Sequence, residues 1–105
     1  MLRRYLFIKL KPAFNQGLKL TQLIENAEQA LRAPYGVQDL KIGRAVGESK
    51  DEWDLCITLM YVSDVDAQRA QDDPITRTFE ERFLGQRADR VWSAMFEHDF
   101  ERKGA

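Results

Sequence analysis

Asp73-Pro74-Ile75-Thr76-Arg77-Thr78-Phe79-Glu80-Glu81-Arg82-Phe83 opens like a helix and keeps a helical period. Asp73 can cap the first turn, and Pro74 suits the first helical position, where its missing N–H is of no consequence. Ile75, Phe79 and Phe83 recur every four residues and share one face. Gly85 stands where such a helix would stop. Glu80 and Glu81 are adjacent, so on a helix they diverge and read as solvated surface, not as a facing acid pair.

Working outward, Trp53 to Tyr61 is the clearest strand in the chain. Trp53, Leu55, Ile57, Leu59 and Tyr61 alternate with Asp54, Cys56, Thr58 and Met60, which gives the strand two different faces. After it, Ser63 or Asp64 can cap a short helix running to about Gln71. Before it, Val37 to Val46 reads as another strand, with Gly43 marking a bulge or a close backbone approach. The polar Gly47-Glu48-Ser49-Lys50-Asp51 joins the two strands as a hairpin. At the N-terminus, Leu2, Arg4, Leu6, Ile8 and Leu10 alternate with Tyr5, Phe7 and Lys9 until Pro12 ends the strand. Leu20, Leu23, Ile24, Ala27, Ala30 and Leu31 then form one apolar helical stripe, which Pro34-Tyr35-Gly36 breaks. Val91 to about Phe100 is the last strand, and Glu101 to Ala105 should fray.

The order is strand, helix, strand, strand, helical region, strand. Two such strand–helix–strand units predict an α+β, ferredoxin-like βαββαβ sheet with helices on one face, as a single domain over residues 1–105. The opposite face would carry Tyr5, Phe7, Cys56, Thr58 and Met60. Apolar patches of that kind mark interfaces. The expected cover is a second copy, packed face to face as an isologous homodimer that closes a dimeric α+β barrel.

Composition narrows the function classes. The 105 residues are 44% hydrophobic and 31% charged, an ordinary globular balance. Sixteen basic against seventeen acidic residues give a net charge of -1, which predicts no nucleic-acid partner. The apolar runs are far shorter than a membrane span, so the chain reads as a cytoplasmic protein with no membrane partner. Cys56 is the single cysteine, so neither a disulfide within the chain nor a cysteine metal site is available. His98 is the single histidine and reads as a solvent-facing strand residue. No metal and no cofactor are expected. Trp53 and Trp92 read as core or interface side chains.

Four segments taken together resemble the stress-responsive A/B-barrel (Dabb) family. They are Phe7-Ile8-Lys9-Leu10-Lys11, Val37 to Arg44, Trp53-Asp54-Leu55 with Tyr61-Val62-Ser63, and Pro74 with Phe79, Arg82 and Phe83. The resemblance implies a homodimeric α+β barrel with a pocket between helices and sheet. Members carry His-Pro-x-His where this chain has Asp73-Pro74-Ile75-Thr76, and a further histidine in the first strand, here Arg4. In a plant member that cyclises a polyketide, chemistry is attributed to two histidines assisted by tyrosines. Their positions fall here at Arg4 and Thr76, with Ala70 at a tyrosine position. Arginine stays protonated and cannot act as a general base near neutral pH, and Thr76 has no usable pKa.

Placed by the resemblance, Arg4, Asp73 and Thr76 ring the pocket, and Leu6, Ile8, Ile57, Leu59 and Phe79 line its apolar part. Alternation puts Arg4 on the helix-facing side, where a charge needs a partner, and Asp73 is the expected one. The expected function is a dimeric barrel protein that binds a small apolar or anionic molecule, an anion being held by Arg4, with no catalytic residues. The alternative is a polyketide cyclase-like or cofactor-free monooxygenase-like enzyme acting on an aromatic or polyketide intermediate.

Overall fold

The computed structural model describes residues 1–98. Strand β1 (Leu2–Leu10) is followed by a 3-10 turn (Pro12–Phe14) and helix α1 (Gly17–Arg32). Strands β2 (Val37–Arg44) and β3 (Leu55–Tyr61) flank a second 3-10 turn (Gly47–Asp51). Helix α2 (Asp64–Asp72) leads to α3 (Pro74–Thr78), which continues into a π-helical stretch (Phe79–Leu84) and a closing turn (Gly85–Arg87). Strand β4 (Ala88–Glu97) completes the order. The sheet runs β2-β3-β1-β4 with every neighbouring pair antiparallel, which is the ferredoxin-like arrangement.

Alternation sets the two faces. Arg4, Leu6, Ile8 and Leu10 of β1 are buried, as are Leu55, Ile57, Leu59 and Tyr61 of β3. They meet Leu20, Leu23, Ala27 and Leu31 of α1, with Ala67, Ala70, Phe79 and Leu84 from the later helices, in one core. Gly36, at φ +98, turns the chain from α1 into β2. A side chain there would meet Cβ of Asp66 at 3.0 Å, so the turn needs glycine on both counts. Ser63 caps α2 by accepting from the Asp66 N–H at 3.2 Å.

Several boundaries differ from the sequence expectation. β3 begins at Leu55, not at Trp53, because Asp54 is drawn into the end of β1. Its N–H donates to the Ile8 carbonyl at 2.8 Å, and its carboxylate accepts from the Leu10 N–H at 2.7 Å and from Asn15 at 3.0 Å. Trp53 is thereby turned away from the face of Leu55 and packs, tilted, 5.7 Å from Phe7 on the opposite one. Gly43 marks no bulge: the register shifts fall between Val37 and Asp39 and between Lys9 and Leu10. Gly85 is helical at φ -58 and stops nothing. β4 starts earlier than expected, at Ala88, while Phe100 and the segment 101–105 lie outside the described residues.

The π-helical stretch changes which side chains of the last helical region face inward. A π turn accommodates one extra residue, so positions five apart fall on one side. Phe79 and Leu84 are buried, whereas Phe83 is only partly buried and Ile75 is 53% exposed. The expected Ile75–Phe79–Phe83 core face is therefore a Thr76–Phe79–Leu84 face.

Candidate functional site

Among the described residues, the helix-facing side of the sheet carries one buried charge, Arg4. Its partner is Glu80, not Asp73. Nη1 and Nη2 donate to Glu80 Oε2 and Oε1 at 2.8 and 2.7 Å, a bidentate fork. Nε donates to Ser93 Oγ of β4 at 3.3 Å. Burial disfavours the charge on Arg4, but the hydrogen bonds and attraction of Glu80 outweigh it, so its pKa is raised. Tyr61 stands beside the pair. Burial pushes its phenol up, the nearby Arg4 pulls it down, Glu80 pushes it up again, and the net direction is upward. Neither group is an acid or base near neutral pH.

Asp73 performs a different task. Its carboxylate accepts from the Ile75 N–H at 2.9 Å and caps α3. Because asparagine caps about as well as aspartate, Asp73→Asn should change stability by less than about 0.5 kcal/mol, and Asp73→Ala should cost about 1 kcal/mol. Chemical unfolding of the two variants checks this. A large loss in Asp73→Asn would mean that its charge is paired after all.

The other expected pocket residues lie close together but are packed. Leu6, Ile8, Ile57 and Leu59 are each at most 1% exposed within the core, and Thr76 is buried on the inner side of α3. Phe79 lies between the core and an open cleft. That cleft, about 400 Å³, runs between α1 and α3 and is bordered by Asn26, Ala30, Ile75, Thr78, Phe79 and Phe83. Its wall is apolar except for Asn26 and Thr78. A smaller polar recess of about 240 Å³ lies over the Arg4–Glu80 pair, between Gln68, Gln71 and Arg77.

The opposite face of the sheet is aromatic. Register places Tyr5 between Thr58 and Ala94, and Phe7 between Cys56 and Trp92. Phe7 lies 5.5 Å from Trp92 and 5.7 Å from Trp53, and Tyr5 meets Phe96 edge-on at 5.7 Å. His98 is not solvent-facing as expected: it is partly buried on this face, its Nε2 3.0 Å from the Tyr5 hydroxyl. Burial pushes the Cys56 thiol up against the opposing hydrogen bond of Thr58, the reverse of what a nucleophilic cysteine needs. β4 is open on both sides, with Val91 at 43% and Met95 at 38% exposed on one face and Trp92 at 51% and Phe96 at 54% on the other. On the aromatic face Arg3 has its Nε screened from water with no hydrogen-bond partner among the described residues.

Neither a family model nor a curated protein matches the sequence. Solved structures do. A Dabb family protein with a ferredoxin-like fold from Mesorhizobium loti superposes with a TM-score of 0.82 at 17% identity, over 91% of this chain and 94% of its own. The fold is that of the A/B-barrel proteins. A protein of Arabidopsis thaliana matches with a TM-score of 0.82 at 14% identity, over 97% of this chain and 99% of its own. A dimeric ferredoxin-like protein of unknown function from Thermobifida fusca matches with a TM-score of 0.74 at 12% identity, over 90% and 88% of the two chains. At such identities the A/B-barrel likeness speaks for the backbone alone. Within this A/B-barrel fold, no helix among the described residues is long and apolar enough to cross a membrane.

The Arg4–Glu80 pair and the cleft were both missed by sequence reasoning. Glu80 lies one helical turn beyond Thr76, so a helix that points Thr76 at Arg4 also points Glu80 there. That spacing was the available signal. The cleft has no such signal, because it depends on how α1 and α3 pack.

Proposed function

We propose that the chain works as a homodimeric A/B-barrel that binds a small, mainly apolar molecule and performs no acid–base chemistry of its own. One observation carries the ligand reading. The apolar cleft between α1 and α3 is open, while the buried charge of Arg4, which borders a separate recess, is closed by its own ion pair. Apolar walls with a few polar anchors are the common form of a small-molecule site, and Asn26 and Thr78 supply the anchors. Arg4 is not available to hold an anion, because its fork is filled by Glu80 and its Nε by Ser93. The catalytic alternative gains nothing at the positions where it needs acid and base: Arg4 remains protonated and Thr76 is a buried hydroxyl.

The dimer reading rests on the aromatic sheet face. Its aromatic centre is edged by Lys9, Lys41 and Arg90, the pattern of an interface core with a polar rim.

Ligand binding raises the melting temperature, and at ten times Kd the gain in stability is about 1.4 kcal/mol. Decanol is expected to raise the melting temperature of the native protein by several degrees. It should lose that effect in Ile75→Asp and Ala30→Asp, which place a charge in the cleft wall. Equal shifts in the native protein and both variants, or no shift in any, would remove the cleft as the site.

A further inference from the structure

The apolar cleft does not end at Asn26 and Phe83. Those two residues also border a second opening of about 400 Å³, toward the start of α1, whose other walls include Phe14, Lys19 and Arg87. Lys19, Asn26 and Ala30 stand at spacings of seven and four residues along α1, so they follow one another down one side of the helix. The two openings thus adjoin along one side of α1, and a ligand long enough to pass Asn26 and Phe83 would meet them as one channel whose two ends differ in character.

The far end is cationic. Lys19 Nζ lies 5.3 Å from the centre of the Phe14 ring. The Arg87 guanidinium lies 5.3 Å from the same ring and 3.8 Å over Phe83. The rings hold both cations near the channel by attraction between positive charge and aromatic face. Arg87 Nη1 donates to the Phe83 carbonyl at 3.0 Å, which fixes the guanidinium but leaves its charge uncompensated. Among the described residues, neither Lys19 nor Arg87 has a carboxylate within ion-pair distance, and no acidic residue borders this end. This is the opposite of Arg4, which is buried and paired.

We propose that the channel takes an amphipathic carboxylate, an alkyl or aryl acid. Its apolar tail lies along Ala30, Ile75 and Phe79, and its carboxylate sits at Lys19 and Arg87. The proposal rests on the cleft reading given above and names the ligand class for it. Charge complementarity selects an anion, because two cations without acidic partners stand next to the largely apolar cleft. Arginine adds a planar fork suited to a carboxylate. Both cations are reachable by water, so their effect is modest and depends on salt.

The test is calorimetric titration of the native protein with decanoate and with decanol, below their aggregation limits, at low salt. Decanoate is expected to bind about tenfold more tightly than decanol, the preference that charge-assisted contacts of this exposure supply. The preference should vanish in Lys19→Gln with Arg87→Gln, and should be restored in Lys19→Arg with Arg87→Lys, which also controls for the packing of Arg87 on Phe83. It should also collapse near 1 M salt, where the screening length falls to about 3 Å. Equal binding of decanoate and decanol would overturn the carboxylate proposal and leave the cleft reading standing. So would a carboxylate preference that survives the double glutamine variant. Binding of neither compound would overturn both.

Discussion

Glu80→Gln should destabilise the protein by about 2–4 kcal/mol, somewhat below the range for breaking a fully buried ion pair, because the Glu80 side chain is still 21% exposed. The reason lies in the asymmetry of the pair. Arg4, at 9% side-chain exposure, stays largely shielded from water when its carboxylate partner is lost. Its charge is then compensated only by neutral groups, which do not offset its desolvation. Arg4→Met should cost less, since the Glu80 carboxylate it leaves behind can turn toward solvent through the recess between Gln68 and Gln71. The double change Arg4→Met with Glu80→Leu should cost less than Glu80→Gln alone, because apolar side chains of similar volume need no partners. Urea unfolding of the three variants gives the comparison. Near-additive losses would show that the two residues act independently. A neutral Glu80→Gln would show that the fork does not carry the charge of Arg4.

The second large effect concerns the aromatic sheet face. Trp92→Glu and Phe96→Glu should each weaken self-association at least about a hundredfold, the scale of losing an aromatic anchor of an interface. Both side chains are about half exposed within one chain, so the fold should survive the change. The loss should therefore appear in association and not in secondary structure. At position 92 the new carboxylate would lie against Phe7, and desolvating it there adds to the effect.

The strands were legible because alternation has a period of two and leaves little choice of face. Leu6, Ile8, Ile57 and Leu59 on one side, and Tyr5, Phe7, Cys56, Thr58 and Met60 on the other, stand where their spacing puts them. Trp53 was misplaced because alternation was extended two residues too far. What ended the strand was Asp54 accepting the Leu10 N–H, a contact between segments more than forty residues apart. Glu80 was misread because Glu-Glu on a helix has the look of a solvated surface, and the four-residue spacing from Thr76 points to Arg4 only once Thr76 is itself placed there. The π-helical stretch has no compositional mark, and by adding a residue after Phe79 it put Leu84 in the core in place of Phe83. Lys19 and Arg87 are brought to one groove only by the packing of α1 against the last helical region. That relation lies in tertiary structure and not in any window of sequence.

The most direct test of the central claim, that two copies join through the aromatic face to make a barrel, is the mass in solution by light scattering across a dilution series. The native chain should run at twice its 12.2 kDa mass down to micromolar concentration. Such a stable interface buries more than about 1,200 Å² in total. Trp92→Glu should run at the mass of a single chain under the same conditions. A native protein of single-chain mass throughout, or a Trp92→Glu variant that remains at twice that mass, would contradict it.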